Sequence, residues 1–446
     1  MNPLKIRSLF ESRAQQSNGR WRFLVEMKHG LGLCDANGND HRDYAGNRVR
    51  KDAKLRPEQF SLAELAEGII GPSWRSLFNP ESSGLNKFAQ AKAILEATNP
   101  GDTRALLEST GIGIDPTAFA NINTFTSVVG GLVEVKILEA FQNPALIADR
   151  LCPAEPTKLN GQKIIGVNHI GDKAEIRKPG MPHARAQFNE RWVETPETVE
   201  NALAVDVLKE TVFFDLTGQI LQMAASVGEE LAYRKELRVI DTIIGVTNSF
   251  KYNGTAYNTY VTSRTQGYLN DQSNPLLDWT SIQSAMLLFA RMQDPSTGKR
   301  ILTKPDTIIV NPAKVATANL ILSATTTERR SGGGASTPQT TSNPLNVSVS
   351  PGSPYSGLEV ISSPLIEQRC TDADGLNISQ ANADEYWWAL ERGKSFRYMQ
   401  NYPLAVNQAA PNQYEMLDKG IVASYFANER GVPSIWSPWH VVRNKN

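Results

Sequence analysis

The chain has 446 residues with 46 basic and 46 acidic side chains, so its formal charge is zero, and 40% of its residues are hydrophobic. That length suffices for two or three domains with real cores, and the balanced charge argues against a protein that works by gripping a polyanion. No apolar run is long enough to span a membrane, the opening MNPLKIRSLFESRAQQ lacks the apolar core of a signal peptide, and Cys34, Cys152 and Cys370 are too few and too scattered for a disulfide framework, which fits synthesis in a reducing cytosol.

The first hundred residues are polar and broken into short pieces. A short helix is expected over residues 4–16, residues 24–33 are ambiguous, and residues 34–57 read as loop. Two helices are expected over residues 61–70 and 85–97, the first opened by a capping box of Ser61 and Glu64. Turn residues between about Pro100 and Pro116 mark the main domain boundary. Beyond it the chain is more apolar, with a helix inside residues 126–141 that ends at Asn143-Pro144.

Residues 151–205 carry prolines at 153, 156, 179, 182 and 196. Short strands are expected at residues 163–167 and 173–177, joined by a turn at Gly171-Asp172. The basic residues Lys173, Arg177, Lys178, Arg185 and Arg191 dominate this stretch, with Phe188 and Trp192 as isolated aromatics. An extended arm of about 50 residues is too long for a casual loop. Such an arm normally lies against another surface.

A long amphipathic helix follows, over residues 211–245, with Thr211 as N-cap and Asp215 just inside. Phe213, Phe214, Ile220, Leu221, Ala224, Val227, Leu231, Leu237, Ile240 and Ile244 recur at helical spacing and make one apolar stripe. Roughly 33 residues at 1.5 Å each give a rod of about 50 Å. After a Tyr/Asn/Thr-rich segment of short strands, residues 279–293 form a second amphipathic helix capped by Thr280 or Asp278. A buried strand over residues 307–310 feeds a helix from Pro312. Residues 325–344 are low-complexity loop. Strands then recur at residues 358–361, 386–390, 397–402, 421–428 and 439–443.

Motifs for chemistry are largely missing. The DANGND run at residues 35–40 has Asp40 where a calcium loop needs Gly and Gly46 where it needs Glu, so it reads as a polar turn. Residues 372–375, DADG, read as a tight turn. The five histidines show no metal-ligand spacing, and no phosphate loop or nucleophile elbow is present. No cofactor is expected. The cations of the arm suit an acidic neighbouring surface more readily than nucleic acid. Trp387 and Trp388 alternate faces of a strand, with one expected in the core.

The order of these parts, and in particular the segments IDPTAFANINTFTSVVGGLVEVKILEAF, ETVFFDLTGQILQMAASVGEELAYRKE and KPDTIIVNPAKVA, resembles the major capsid proteins of tailed bacteriophages with the Hong Kong 97 fold. The resemblance covers roughly residues 116–442. It implies an α+β fold with an N-arm (residues 117–151), an extended E-loop (152–206) reaching over a neighbouring subunit, a peripheral domain (207–299, with 406–446 returning to it) built on the spine helix, and an axial domain (300–405). Residues 1–116 match in length the scaffolding-like segment that some relatives cleave, although no cleavage motif is present. The covalent cross-linking of some relatives has no matching positions here.

The resemblance further implies a non-enzymatic virion protein, assembled in the host cytoplasm into pentamers and hexamers that enclose double-stranded DNA without sequence-specific contacts. Portal, scaffold and decoration proteins would be its partners, with no membrane. The E-loop residues Lys173, Arg177, Lys178, Arg185, Phe188, Arg191 and Trp192 would form the subunit interface. Phe214, Ile220, Ala224, Val227, Leu231, Leu237, Ile240 and Ile244 would form the core face of the spine. Three rivals stand beside this reading: an encapsulin-like compartment enclosing cargo enzymes, an enzyme of unrelated α+β fold, and a tail or decoration protein.

Overall fold

A computed structural model describes residues 19–37, 39–41, 51, 53–55, 116–142, 146–165, 192–208, 219–295, 298–323, 357–409 and 421–446. In chain order the elements begin with α1 (Gly19–Gly30), α2 (Pro116–Phe141), α3 (Ala148–Leu151), β1 (Ala154–Pro156), β2 (Lys163–Ile165), β3 (Trp192–Glu194), β4 (Val199–Leu208) and α4 (Gln219–Ile244). They continue with β5 (Ser249–Tyr252), β6 (Thr255–Asn258), β7 (Asp271–Ser273), α5 (Trp279–Ala290), β8 (Thr307–Val310) and α6 (Val315–Ser323). The last are β9 (Glu359–Ile361), α7 (Pro364–Thr371), α8 (Gln380–Ala383), β10 (Trp387–Leu390), β11 (Phe396–Ala409), β12 (Ile421–Ile435) and β13 (Val441–Lys445).

The chain forms two compact units, and α4, β11 and β12 each contribute residues to both. The first unit comprises residues 1–144, 200–234 and 402–430. Its core takes Phe23 and Met27 from α1, Val128, Leu132, Val133, Val135 and Ile137 from α2, and Leu221, Ala224, Val227 and Leu231 from α4. On α4 these alternate with exposed Gln222, Met223, Ser226, Glu229 and Glu230, the pattern of a helix that buries one stripe. At Gly228 the backbones of α4 and α2 nearly touch: a Cβ there would lie 2.4 Å from the Ile137 carbonyl oxygen and 2.9 Å from Ala140 Cβ. Glycine costs about 1 kcal/mol of helix propensity, so close approach is the reason for it. Gly228→Ala is expected to destabilise the subunit by about 1–3 kcal/mol in spite of the propensity gain, read as a lower thermal midpoint; a neutral or raised midpoint would mean the helices separate freely.

The second unit comprises residues 145–199, 235–401 and 431–446. Its centre is a five-stranded sheet ordered β7-β13-β10-β8-β9. Strand β10 runs antiparallel to both neighbours, with Trp388 opposite Arg443 on β13 and Ile309 on β8, while β8 pairs in parallel with β9 and β13 with β7. Because β8 and β10 are interior strands with all four residues buried, both Trp387 and Trp388 are fully buried. This corrects the expectation that only one would be. A smaller antiparallel sheet, β2-β3-β5-β6, lies beside an aromatic cluster in which Tyr268 and Tyr252 meet Trp439 edge-on at 5.5 and 5.7 Å. The remaining four-strand order is β1-β11-β12-β4.

Helix α5 shows how local sequence sets an element. Asp278 accepts a hydrogen bond from the Thr280 amide at 2.8 Å and is the N-cap, and Ile282, Ala285 and Phe289 are buried at helical spacing. Asp278→Ala is expected to cost about 1 kcal/mol; an unchanged urea midpoint would show that another group caps this end.

Several element bounds differ from the sequence expectation. Residues 24–33 resolve as the end of α1 and a turn, and α2 starts at Pro116, ten residues before the window in which a helix was expected. Strands β11 and β12 run on to Ala409 and Ile435, since backbone pairing continues past the last apolar alternation. Trp439 sits in a short 3-10 turn before β13, where Pro438 removes a ladder donor. Strand β4 and helix α7 were not anticipated. The helices expected at residues 4–16, 61–70 and 85–97, the strand at 173–177 and the start of the long helix lie outside the described residues.

Candidate assembly surfaces

The extended segment is rooted in paired strands. β2 and β3 are antiparallel, Lys163 facing Glu194 and Ile165 facing Trp192, and β3 also pairs with β5. Ile165 and Trp192, the described residues on either side of positions 166–191, are therefore paired neighbours in one sheet. Trp192 is half-buried there: its indole N–H donates to Glu194 Oε1 at 3.2 Å, and Lys163 Nζ lies 5.3 Å from its ring centroid. Below the hairpin, the Gln162 amide donates to Thr195 Oγ1 at 2.7 Å, the Thr198 amide to Asn160 Oδ1 at 2.9 Å, and Asn401 Nδ2 to the Thr157 carbonyl at 3.1 Å. These bonds fix where the segment starts. Of the expected interface residues, Lys173, Arg177, Lys178, Arg185, Phe188 and Arg191 lie outside the described residues.

The long helix places Ala224, Val227, Leu231, Ile240 and Ile244 in buried positions and leaves Leu237 half-buried. Expected as a core residue, Leu237 is displaced by Glu236 and Val239, which face the interior instead. Phe214 lies outside the described residues, and of Ile220 only its place on α4 is described. Val239 and Ile243 are buried and were missed from the expected core face, as were two charged residues.

Those two are Lys235 and Glu236, both buried. Glu236 accepts from the Ile147 amide at 3.0 Å and the Ala148 amide at 2.7 Å, so it closes the start of α3. Burial raises its pKa, and the two backbone hydrogen bonds offset part of that rise. Lys235 pairs with Asp149 at 2.5 Å and lies 4.9 Å over the Tyr398 ring. The signal was in the sequence: Leu231, Lys235 and Val239 fall at successive fours, so a charge stands where the stripe calls for an apolar residue.

Strands β4 and β12 form a third feature. Asn428 Nδ2 donates to Glu200 Oε1 at 3.1 Å, and Ser424 Oγ to Asp206 Oδ1 at 2.6 Å. The pairs run in opposite senses along the two strands, so the strands are antiparallel and these residues share one face. Val205, Val207, Tyr425 and Ala427 are buried on the other side. On the outer side Ala202 and Ala204 are exposed and Phe426 keeps 42% of its surface. Among the described residues no cluster of metal-ligating side chains occurs, and no helix is long and apolar enough to cross a membrane. Cys34, Cys152 and Cys370 are all buried and free.

A family model described as phage capsid protein matches residues 193–423, more than half of the chain. The chain belongs to the phage capsid protein family. As a phage capsid protein it is a structural, non-enzymatic component of the virion shell, and its described residues form a mixed α+β structure. No curated protein matches the sequence. Solved structures similar to this capsid protein include the capsid of cyanophage P-SCSP1u, at 11% identity and TM-score 0.38 over 68% of this chain and 88% of that one. Mycobacterium phage Ogopogo matches at 13% identity and TM-score 0.38, over 68% and 93%. The SrpI encapsulin complex of Synechococcus elongatus matches at 12% identity and TM-score 0.37, over 68% and 87%.

Proposed function

We propose that this capsid protein is the major head subunit of a tailed phage, self-assembling into pentamers and hexamers of an icosahedral head around double-stranded DNA. The observation that carries this reading is the hairpin root. β2 and β3 are tied into a sheet, and between them residues 166–191 supply a long basic excursion with Phe188. An excursion of that composition gains most by burial on a neighbour, where each apolar side chain contributes on the order of 1–3 kcal/mol. Residues 152–206 are then the subunit-bridging loop, residues 117–151 the N-arm, α4 the spine of a peripheral domain (207–299 and 406–446), and residues 300–405 the axial domain. Contacts of this kind are heterologous and close when the rotation fits. Portal, scaffold or decoration proteins are the further partners, and the neutral net charge suits a wall that does not clamp its contents.

Negative-stain electron microscopy of the purified chain, with intact-mass spectrometry, tests this. Closed shells or capsomer rings are expected, and the mass reports whether residues 1–116 are retained. A chain that stays monomeric or dimeric at every salt and pH would overturn the reading, and shells loaded with a cargo enzyme would favour the encapsulin alternative. Deleting residues 173–191 should leave a folded subunit that fails to assemble; normal shells from that variant would remove the arm from the account.

A further inference from the structure

We infer that Asn253, at the tip of the β5–β6 hairpin, is a self-modification site. Its side-chain amide is converted to a carboxylate through a cyclic imide with the Gly254 nitrogen, and the conversion releases a clamp that Asn253 holds on Trp192. The site belongs to the folded chain itself and stands apart from the shell reading.

Asn253 has φ 50° and Gly254 φ 77°, the two left-handed residues of a type I′ turn. That turn sets three reacting groups in the open, since both residues are exposed. The Gly254 nitrogen, the nucleophile, makes no hydrogen bond among the described residues, and nothing stands within 4 Å of where a Cβ would be. The side-chain carbonyl of Asn253, the electrophile, accepts the Trp192 amide at 3.0 Å through Oδ1. Such a donor polarises the carbonyl and stabilises the oxyanion that attack creates. Nδ2, the leaving group, has no partner among the described residues. Opening the last pair of the hairpin, Tyr252 with Thr255, frees the turn for the attack. The Gly254 nitrogen then loses its proton to water and bonds to Cγ, the Cγ–Nδ2 bond breaks, and Nδ2 leaves as ammonia. Water adds to either imide carbonyl, giving aspartate where the bond to Cγ is cut and isoaspartate where the bond to the backbone carbon is cut.

Two other left-handed asparagines lack these features. Asn377 is exposed at φ 53°, but the next amide is that of branched Ile378 and donates to the Cys370 carbonyl at 3.0 Å. Asn248, at φ 42°, precedes Ser249, and both its side-chain groups bond Tyr260. Conversion at Asn253 also has a structural consequence. The Asn253 amide donates to the Trp192 carbonyl at 3.0 Å, so the two residues exchange a pair of bonds where β3 begins. Isoaspartate adds a carbon to the backbone of a two-residue turn and moves the acceptor, which breaks the pair. Aspartate keeps the acceptor in place.

The test holds the folded full-length chain at neutral and at mildly alkaline pH in oxygen-18 water. Peptide mass spectrometry, with fragmentation that separates aspartate from isoaspartate, follows each asparagine. Asn253 is expected to convert at least tenfold faster than Asn377, with one heavy oxygen gained, isoaspartate among the products and a rate that rises with pH. Equal rates at the two asparagines, or aspartate with no isoaspartate, would overturn the site. Hydrogen exchange then reads the clamp. The Trp192 amide should exchange at least fivefold faster in the isoaspartate fraction than in the starting chain, and Asn253→Asp should leave it unchanged. Unaltered exchange in the isoaspartate fraction would overturn the release of Trp192. If Asn253→Asp does not fold, the aspartate fraction of the converted chain takes its place as the reference.

Discussion

An Asp271→Ala subunit is expected to lose about 3–5 kcal/mol of stability, because it strips the partner from a buried cation. Asp271 is 4% exposed on β7, and its Oδ2 accepts from Arg443 Nη2 and from Lys445 Nζ, each at 2.8 Å. Arg443 is itself 11% exposed and lies 4.5 Å over the Tyr260 ring. Removing the carboxylate leaves that guanidinium in a place where water cannot replace it. Urea unfolding of the dissociated subunit measures the loss, and a change under 1 kcal/mol would show that the pair is not what holds β13 against β7.

The same carboxylate sets a pH dependence. Burial would raise its pKa, but the hydrogen bonds from Arg443 and Lys445 outweigh that and hold it below the usual range. Its contribution is therefore present above the unfolded value, about 3.9, and is lost as pH falls through the depressed folded value. The wild-type chain should lose stability in strong acid that Asp271→Asn has already lost at neutral pH.

Glu236→Leu is the second large effect. It orphans the amides of Ile147 and Ala148 inside the core, at roughly 1–3 kcal/mol for each unsatisfied donor. Glu236→Gln keeps an acceptor and removes the buried charge. Here the sign is opposite to Asp271: the folded pKa is raised, first by burial. The contribution of Glu236 is thus fully present below the unfolded value and diminishes as pH rises through the folded one. Glu236→Gln should match the wild type in mild acid and gain on it towards neutral pH. A difference that does not change with pH would mean the carboxylate is solvated, contrary to its burial.

The legible parts of this chain were those where one pattern governs alone. β8 and α5 were read nearly to the residue because TIIV is flanked by prolines and WTSIQSAMLLFA follows a capping Asp. The long helix was read from its stripe, but the stripe could not say that Glu236 turns inward to cap a short helix 89 positions away in sequence. Strand β4 was missed because VENALAVDVL alternates only weakly: five of its first six residues are exposed, Asn201 is half-buried, and full burial starts at Val205. Helix α7 was missed because Pro364 and Cys370 bracket too short an apolar pattern; the Ser363 cap was its one clear signal. For the arm, composition named its chemistry, whereas the hairpin root depends on pairing between residues nearly thirty positions apart.

The three sealed cysteines turn the subunit into its own stopwatch. Cys34 belongs to the first unit, and Cys152 and Cys370 to the second; burial raises the pKa of each thiol, that of Cys370 to about 12. A thiol reagent in solution can therefore react with them only when the surrounding structure opens. Mass spectrometry of the labelled peptides would time the opening of each unit separately, in the free subunit and in the finished particle, with no mutation introduced. The ratio of the two rates at a given cysteine would report how strongly assembly restrains the region around it.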